Sequence, residues 1–176
     1  MGDDFILARQ KVEIWTKGVL EQINRIKLDC SNIENNCDDT KKWQYNVIRI
    51  NDDHFLRISI NNTITWLEEL NEYVEEVKDI YEELSTIQEI KDLRNMAEHE
   101  KEYIKGEGHN QKNYICLETK LTASETGIID GEYLIGGRLK LSYIENKFKQ
   151  LDEIIYKNSF TMTPFYFEKE FGIKLY

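Results

Sequence analysis

The feature that most constrains the fold is a long run of core-type residues spaced three and four positions apart in the middle of the chain. In order, they are Ile60, Thr63, Leu67, Leu70, Val74, Val77, Tyr81 and Leu84. This spacing places their side chains on one face of an α-helix and predicts a single long helix with one buried seam. Asp52 or Asp53 is predicted to cap its start, because a carboxylate there accepts hydrogen bonds from free backbone N–H groups.

Helical periodicity also occurs near both ends of the chain. The apolar residues that predict a first helix over about residues 4–28 are Phe5, Ala8, Val12, Trp15, Val19, Ile23 and Ile26. Those that predict a last long helix are Leu141, Ile144, Phe148, Leu151 and Ile155. Residues 29–42 are rich in Ser, Asn and Asp and predict a polar connection. Residues 43–50 form an apolar but short stretch, which fits either a strand or a helical turn.

The region after the central run contains signals for a further helix and a small sheet. Ser85 and Gln88 have the spacing of a capping box and predict a helix start. This helix is expected to run to about Lys105, where a Gly-rich loop ends it. Residues 114–121 are strand-like, and residues 128–135 predict a hairpin around an Asp-Gly turn.

Together these patterns predict one domain over residues 1–176, because a chain of this length suits one sizeable core. The expected fold class is mainly α, an antiparallel helical bundle with a small β-hairpin insertion at about residues 113–136, before the last long helix. Residues 159–176 form a tail that includes Phe160, Phe165, Tyr166, Phe167 and Phe171. This aromatic tail is predicted to dock on the body of the protein or on a second chain.

The charge of the chain limits the kind of partner that it can bind. Its 33 acidic residues outnumber its 23 Lys and Arg residues and give a formal net charge of -10. This charge repels polyanions and argues against broad, nonspecific binding of nucleic acid. A nuclease of this composition needs basic residues gathered locally, or a positive surface supplied by a partner.

The cysteines and histidines give no metal-binding pattern. Cys30, Cys37 and Cys116 have neither the paired spacing of a zinc site nor the density of a disulfide framework, so three free thiols are predicted. His54 and His109 lack a second His or Cys at ligand spacing, and no metal or other cofactor is expected. Acidic residues follow Met1, and no apolar run reaches membrane-spanning length, so we expect a cytoplasmic protein without a membrane segment.

A cluster of reactive side chains lies in the helix predicted to follow the central run. It contains Arg94, Asn95 and His99. With Arg94 at zero on a helical wheel, Asn95 falls at roughly 100° and His99 at roughly 140°, opposite a core face centred at roughly 280°. The residues that mark this core face are Ile90, Leu93, Ala97 and Ile104. The three side chains therefore point outward, where the same helix of a second protomer could bring both sets into one cleft.

The residue types suit metal-free cleavage of RNA. In that reaction a base takes the proton of a ribose 2′-hydroxyl, whose oxygen then attacks the neighbouring phosphate. His99 is the candidate general acid or base, because histidine titrates in the useful range. Arg94 is the candidate for stabilising the charge of the transition state, and Asn95 for orienting phosphate oxygens. Lys101 and Lys105 follow this cluster and are predicted to form a basic edge that binds the RNA substrate.

This cluster, on a helix that follows a long amphipathic helix, resembles the HEPN superfamily, whose signature is an Arg, a polar residue and a His four to six positions after the Arg. The resemblance covers residues 53–105 and, less specifically, residues 139–156. It implies an endoribonuclease that acts as a homodimer in phage defence or as a toxin, with an antitoxin or another protein as partner. One toxin branch has a tyrosine two positions after the histidine, where this chain has Lys101, so the tyrosine-modification mechanism of that branch is not carried over.

Two simpler interpretations stand beside the catalytic one. Arg94 can form a surface ion pair with Glu98 or Asp92, and His99 can be a solvated histidine among carboxylates. The whole chain can then be a non-catalytic, HEPN-like interaction or regulatory module. The acidity of the chain favours this second function class, whereas the outward Arg-Asn-His cluster favours the first.

Overall fold

The computed structural model describes residues 3–157, and the aromatic tail predicted to dock lies outside these described residues. The described part is mainly helical, with a small antiparallel sheet before the last helix, as predicted. The α-helices are α1 (Asp3–Asn35), α2 (Asp39–Leu70), α3 (Lys78–Thr86), α4 (Gln88–Glu98), α5 (Glu100–Ile104) and α6 (Leu141–Lys157). The strands are β1 (Thr126–Ile129), β2 (Glu132–Ile135) and β3 (Leu139–Lys140), and 3₁₀ turns cover Glu75–Val77 and Gln111–Asn113.

The first two helices form a long antiparallel hairpin. Only residues 36–38 separate them, so the predicted polar connection over residues 29–42 is wrong except at its centre. The carboxylate of Asp38 caps α2 by accepting hydrogen bonds from the backbone N–H groups of Thr40, at 2.9 Å, and Lys41, at 3.3 Å. Residues 43–50 are therefore part of α2, and the helical alternative is the right one. The polar residues misled the prediction because several of them lie on exposed faces of helices that the body of the protein stabilises.

The central run does not form one helix, so that prediction is wrong. The second helix ends at Leu70, and α3 begins only at Lys78. The side chain of Asn71 donates a hydrogen bond to the carbonyl of Leu67 at 3.0 Å, which helps to end the helix. Leu70 at the end of α2, Val77 just before α3 and Leu84 in α3 are all buried. The seven-residue spacing of these core positions therefore continues across the break. The predicted caps Asp52 and Asp53 are also wrong, since both lie buried in the middle of α2.

The helix that carries the candidate residues starts and ends differently from the prediction. Ser85 belongs to α3, and the residue that precedes α4 is Ile87, which makes no capping hydrogen bond through its side chain. The expected helix to Lys105 is broken at His99, whose backbone leaves the helical region at φ -105 and ψ 23. This break changes the helical phase, so Tyr103 is buried while Ile104, predicted to be in the core, is 72% exposed.

The sheet follows the Asp-Gly signal. Asp130 and Gly131 both have positive φ angles, 52° and 79°, which is the backbone of a tight two-residue hairpin turn between β1 and β2. The third strand, β3, pairs antiparallel with β2. Residues 114–121 do not form a regular strand, and their only bridge within the described part of the chain joins Ile115 to Thr122.

The last helix confirms the periodicity prediction. All five of its predicted core residues, Leu141, Ile144, Phe148, Leu151 and Ile155, are buried. It runs antiparallel to α1, as shown by ion pairs of Lys27 with Glu145 and of Lys17 with Asp152. Within residues 3–157, no helix combines the length and the apolar character needed to cross a membrane.

Candidate functional site

The candidate residues lie on the outer side of α4 and at its end. Ile90, Leu93 and Met96 form the buried face of this helix. Asn95 is exposed, and His99 is the residue at which α4 ends. The predicted outward position is confirmed for Asn95, whereas Arg94 is half-buried and His99 lies beyond the end of the helix on which its angle was predicted. Catalysis and pairing with a second protomer stay predictions.

Arg94 forms the ion pair that the simpler interpretation predicts. Its Nε donates to Oε1 of Glu98 at 3.0 Å, and its second terminal nitrogen lies 2.9 Å from the same oxygen. The side chains are 35% and 30% exposed, so water screens the pair and its contribution to stability is at most about 1 kcal/mol. Such a weak pair can open when a phosphate competes for the guanidinium.

The break at His99 shapes an open groove of about 380 Å³ between the end of α4 and the loop after α5. We call it the His99 groove, and its lining residues are Asp92, Asn95, Met96, His99, Glu102, Tyr103, His109 and Asn110. Two of the three predicted catalytic residues, Asn95 and His99, therefore share one concave surface. Arg94 is not among the lining residues.

His109 is a functional candidate that the sequence analysis considered only as a metal ligand. The hydroxyl of Tyr103 donates to the backbone carbonyl of His109 at 2.6 Å, and the side-chain amide of Gln111 donates to the carbonyl of Tyr103 at 2.5 Å. The Tyr103 ring stacks on Tyr114, with ring centroids 5.0 Å apart. Burial raises the pKa of Tyr103 above its usual value. These contacts hold the loop so that His99 and His109 line the same groove, and no local sequence spacing reveals this pairing.

The electrostatic surroundings of the groove are mixed. Asp92 and Glu102 lie in its wall, and the carboxylate of Glu102 is 3.2 Å from Nδ1 of His99. Lys101 and Lys105 are exposed on and just after α5, but neither lines the groove. The carboxylates can orient an imidazole, but they also repel a phosphate. The predicted basic edge is thus a neighbour of the groove and not part of its wall.

A buried polar network anchors α4 directly behind the candidate residues. Arg57 of α2 donates to Asp53 through Nε at 2.9 Å and to the carbonyl of Leu93 at 3.2 Å. It also donates to the carbonyl of Ala123, and the hydroxyl of Thr126 donates to Asp53. The network therefore ties three parts of the chain together: α2, the residue before Arg94, and the segment that leads into β1. Asp53 was predicted as a helix cap, so the sequence analysis missed this role.

Metal ligation has no support in the part of the chain that the structure describes. Residues 3–157 contain no group of three or more His, Cys, Asp or Glu side chains placed to hold a metal ion. The three cysteines are free thiols, with Cys30 and Cys116 buried and Cys37 exposed.

Comparison of the chain with protein-family models, with curated proteins and with solved structures finds no match.

Proposed function

We propose that this chain is a metal-independent endoribonuclease of the HEPN type and that RNA is cut in the His99 groove. The observation that carries the proposal is the placement of His99, His109 and Asn95 on one concave surface of about 380 Å³. Two imidazoles and an amide in one groove are suited to the attack of a ribose 2′-oxygen on phosphorus, because they can supply a base, an acid and a hydrogen-bond donor to the phosphate. The resemblance of Arg94, Asn95 and His99 to the HEPN signature supports the same reaction.

The reaction divides the proton transfers between the two histidines. One imidazole takes the proton of the 2′-hydroxyl while the 2′-oxygen forms a bond to phosphorus. The bond from phosphorus to the 5′-oxygen breaks, and the other imidazole, in its protonated form, gives its proton to that oxygen. The products are a 2′,3′-cyclic phosphate and a free 5′-hydroxyl. Asn95 donates a hydrogen bond to a phosphate oxygen as charge develops there.

The position of Arg94 explains why the proposal includes a homodimer. Its guanidinium is outside the groove of its own chain and is paired with Glu98. In a two-fold pair of α4 helices, the guanidinium of Arg94 in each chain could approach the groove of the other chain. There it would exchange its ion pair with Glu98 for one with a phosphate of the RNA. The proposed role, in phage defence or as a toxin controlled by an antitoxin or another protein, follows from the resemblance alone, whereas the proposed cytoplasmic location follows from the sequence pattern.

A second function class, a non-catalytic interaction module, is favoured by a different observation. Asp92 and Glu102 lie in the groove wall, and Glu98 neutralises Arg94. A surface arranged in this way repels RNA unless a partner changes its charge. In this alternative, the groove and the acidic surface bind a protein.

The two classes are separated by incubating the full chain with a defined set of short RNAs in EDTA. The variants are His99→Ala, His109→Ala and Arg94→Ala, and the matched control is His54→Ala, an exposed histidine on α2 that does not line the groove. His99→Ala and His109→Ala should each slow cleavage about 100-fold or more, because general acid and base catalysis supplies at least this factor. Arg94→Ala should slow cleavage by a similar factor, because it removes a charge that stabilises the transition state. The control should cut at the normal rate, and the products should carry 2′,3′-cyclic phosphates.

Two results would reject the enzyme. One is cleavage that survives in all the variants, which would indicate a contaminating nuclease. The other is a full chain that cuts none of the RNAs, alone or after the Glu98→Gln substitution that frees Arg94. The interaction module would then be the better description of the protein.

A further inference from the structure

Residues 43–57 of α2 form a segment whose polarity is inverted relative to an ordinary surface helix, except at the buried Leu56. Its inward side holds charged groups, namely Arg49, Asp52, Asp53 and Arg57. Its outward side holds large apolar residues, namely Trp43, Val47, Ile48, Ile50 and Phe55. A surface helix normally turns its apolar stripe inward. We call the five apolar residues the outer face of α2.

Partners from other elements contact the inward groups and fix the orientation of the helix, and one carboxylate oxygen of Asp52 (Oδ2) is buried without a hydrogen bond. Arg49 donates to the carbonyl of Thr126 at 2.8 Å, and Arg25 of α1 lies 3.1 Å from Asp52. Turning α2 to bury its apolar residues would break these contacts and the Arg57–Asp53 pair. The outer face is therefore a fixed property of the fold.

The outer face is too apolar to be a random surface. Trp43 is 66% exposed, and Ile50 and Phe55 are 50% and 54% exposed. On a helical wheel the five side chains cover an arc of roughly 160°. The exposed polar residues Gln44, Asn51 and His54 share this arc. Single exposed apolar residues are common, but five large ones on one arc favour a contact site.

We propose that the occupant of the outer face is the chain's own aromatic tail, residues 159–176. The outer face exposes aromatic and branched aliphatic side chains, and the tail carries the same types, including Phe160, Phe165, Tyr166, Phe167 and Phe171. The tail has two Glu and two Lys residues, which give it no formal net charge.

The geometry of α6 allows the tail to reach the outer face. The tail follows Lys157, and Asp152 lies 3.4 Å from Lys17 of α1. On α2, Asp52 lies level with Arg25 of α1, 3.1 Å away. With 1.5 Å of rise per residue, the distance along the helices from Lys157 to Trp43 is roughly 35 Å. An extended chain of the tail's length spans up to about 60 Å, which leaves about 25 Å beyond this axial distance for the path around the hairpin of α1 and α2.

An attached segment also has an advantage over a second copy of the chain. Its effective concentration is of millimolar order, because it cannot diffuse away from the surface. Docking of the tail therefore needs no dimer and no other protein. Docking of the tail therefore predicts that the tail covers the outer face at any protein concentration.

The test uses Trp43 as a reporter in the full-length chain. Trp15→Phe and Trp66→Phe leave Trp43 as the one tryptophan, since the sequence has three. Trp43 should resist acrylamide quenching to the same extent at nanomolar and micromolar protein. Phe165→Ser/Phe167→Ser should abolish this protection and shift the emission to the red. Leu117→Ser, which removes a 74% exposed apolar residue elsewhere, should change neither signal.

A second measurement does not depend on how the tail variant folds. Phe167 is replaced by the photo-reactive residue p-benzoylphenylalanine in the full-length chain, and cross-links are mapped by mass spectrometry at high dilution. Cross-links within one chain to residues 43–55 support the proposal. An accessible Trp43 in the intact chain, protection that disappears on dilution, or cross-links to other segments would overturn it, and loss on dilution would identify a second copy as the occupant.

Discussion

Removal of the Arg57 guanidinium is the sharpest test of how this fold holds its candidate site. The side chain is 3% exposed and that of Asp53 is 5% exposed, so the pair is buried on both sides. The perturbation is Arg57→Met, which keeps most of the unbranched stem and removes every donor. Asp53 then loses its countercharge, and the carbonyls of Leu93 and Ala123 lose a shared partner.

The size of the loss follows from the desolvation of what is left behind. Breaking a buried ion pair on one side costs about 3–5 kcal/mol, because an uncompensated charge stays in the interior. Breaking a pair that is partly exposed to water costs at most about 1 kcal/mol. Arg94→Met is therefore the matched control, since it removes the same chemical group from a pair with Glu98 that is about one-third exposed.

The assay is urea unfolding at pH 7, followed by circular dichroism. Arg57→Met should lower the unfolding midpoint strongly with an unchanged slope, and Arg94→Met should lower it little. The double variant Asp53→Leu/Arg57→Met should be more stable than Arg57→Met, because no buried charge is left without a partner. A loss below about 1 kcal/mol for Arg57→Met, or a double variant less stable than the single one, would refute the reasoning.

Two further predictions concern a turn and a buried carboxyl group. At Gly136 (φ +59) a Cβ atom would overlap Leu93, whereas at Gly131 (φ +79) it would meet no atom within 4 Å. Gly131→Ala should therefore cost about 1–2 kcal/mol from backbone strain, and Gly136→Ala about 1–3 kcal/mol more, as measured by urea unfolding; equal losses would contradict the close contact. Burial, and then the nearby Asp52, raise the pKa of Asp29, so its folded-state pKa exceeds the unfolded one and its ionisation weakens the fold as pH rises. Asp29→Asn should raise the free energy of unfolding at pH 7 and lose this advantage below about pH 4; an equal gain at both pH values would contradict it.

The elements that could be predicted from the sequence are those with local signals. Asp130 and Gly131 form a tight turn because their own backbones accept positive φ angles. The last helix buries Phe148 and its neighbours at the period that the sequence shows. The outward position of Asn95 on α4 likewise follows from the period of one helix.

The errors occurred where individual side-chain contacts, and not the helical period, decide the structure. The break after Leu70 has no proline or glycine, and it depends on an Asn71 side chain that binds helix carbonyls. Asp52 and Asp53 look like helix caps, but both are buried: Asp52 pairs with Arg25 of α1, and Asp53 with Arg57 of the same helix and with Thr126 of β1. The groove partner His109 is held by Tyr103 through a contact at its backbone carbonyl. No spacing rule within one helix contains this information.

The candidate site and the outer face of α2 have a common physical origin. In this part of α2, the inward side of the helix is occupied by Arg49, Asp53 and Arg57. Their hydrogen bonds connect α4 and β1 to the hairpin of α1 and α2. The apolar residues of the same segment must then lie on the outward arc, where they are exposed unless something covers them. Rigid support for the groove and an apolar docking surface are thus two consequences of one inverted helix. A fold that buried Trp43 and Phe55 in the ordinary way would lose the contact behind Leu93 that holds Arg94 and Asn95 in place.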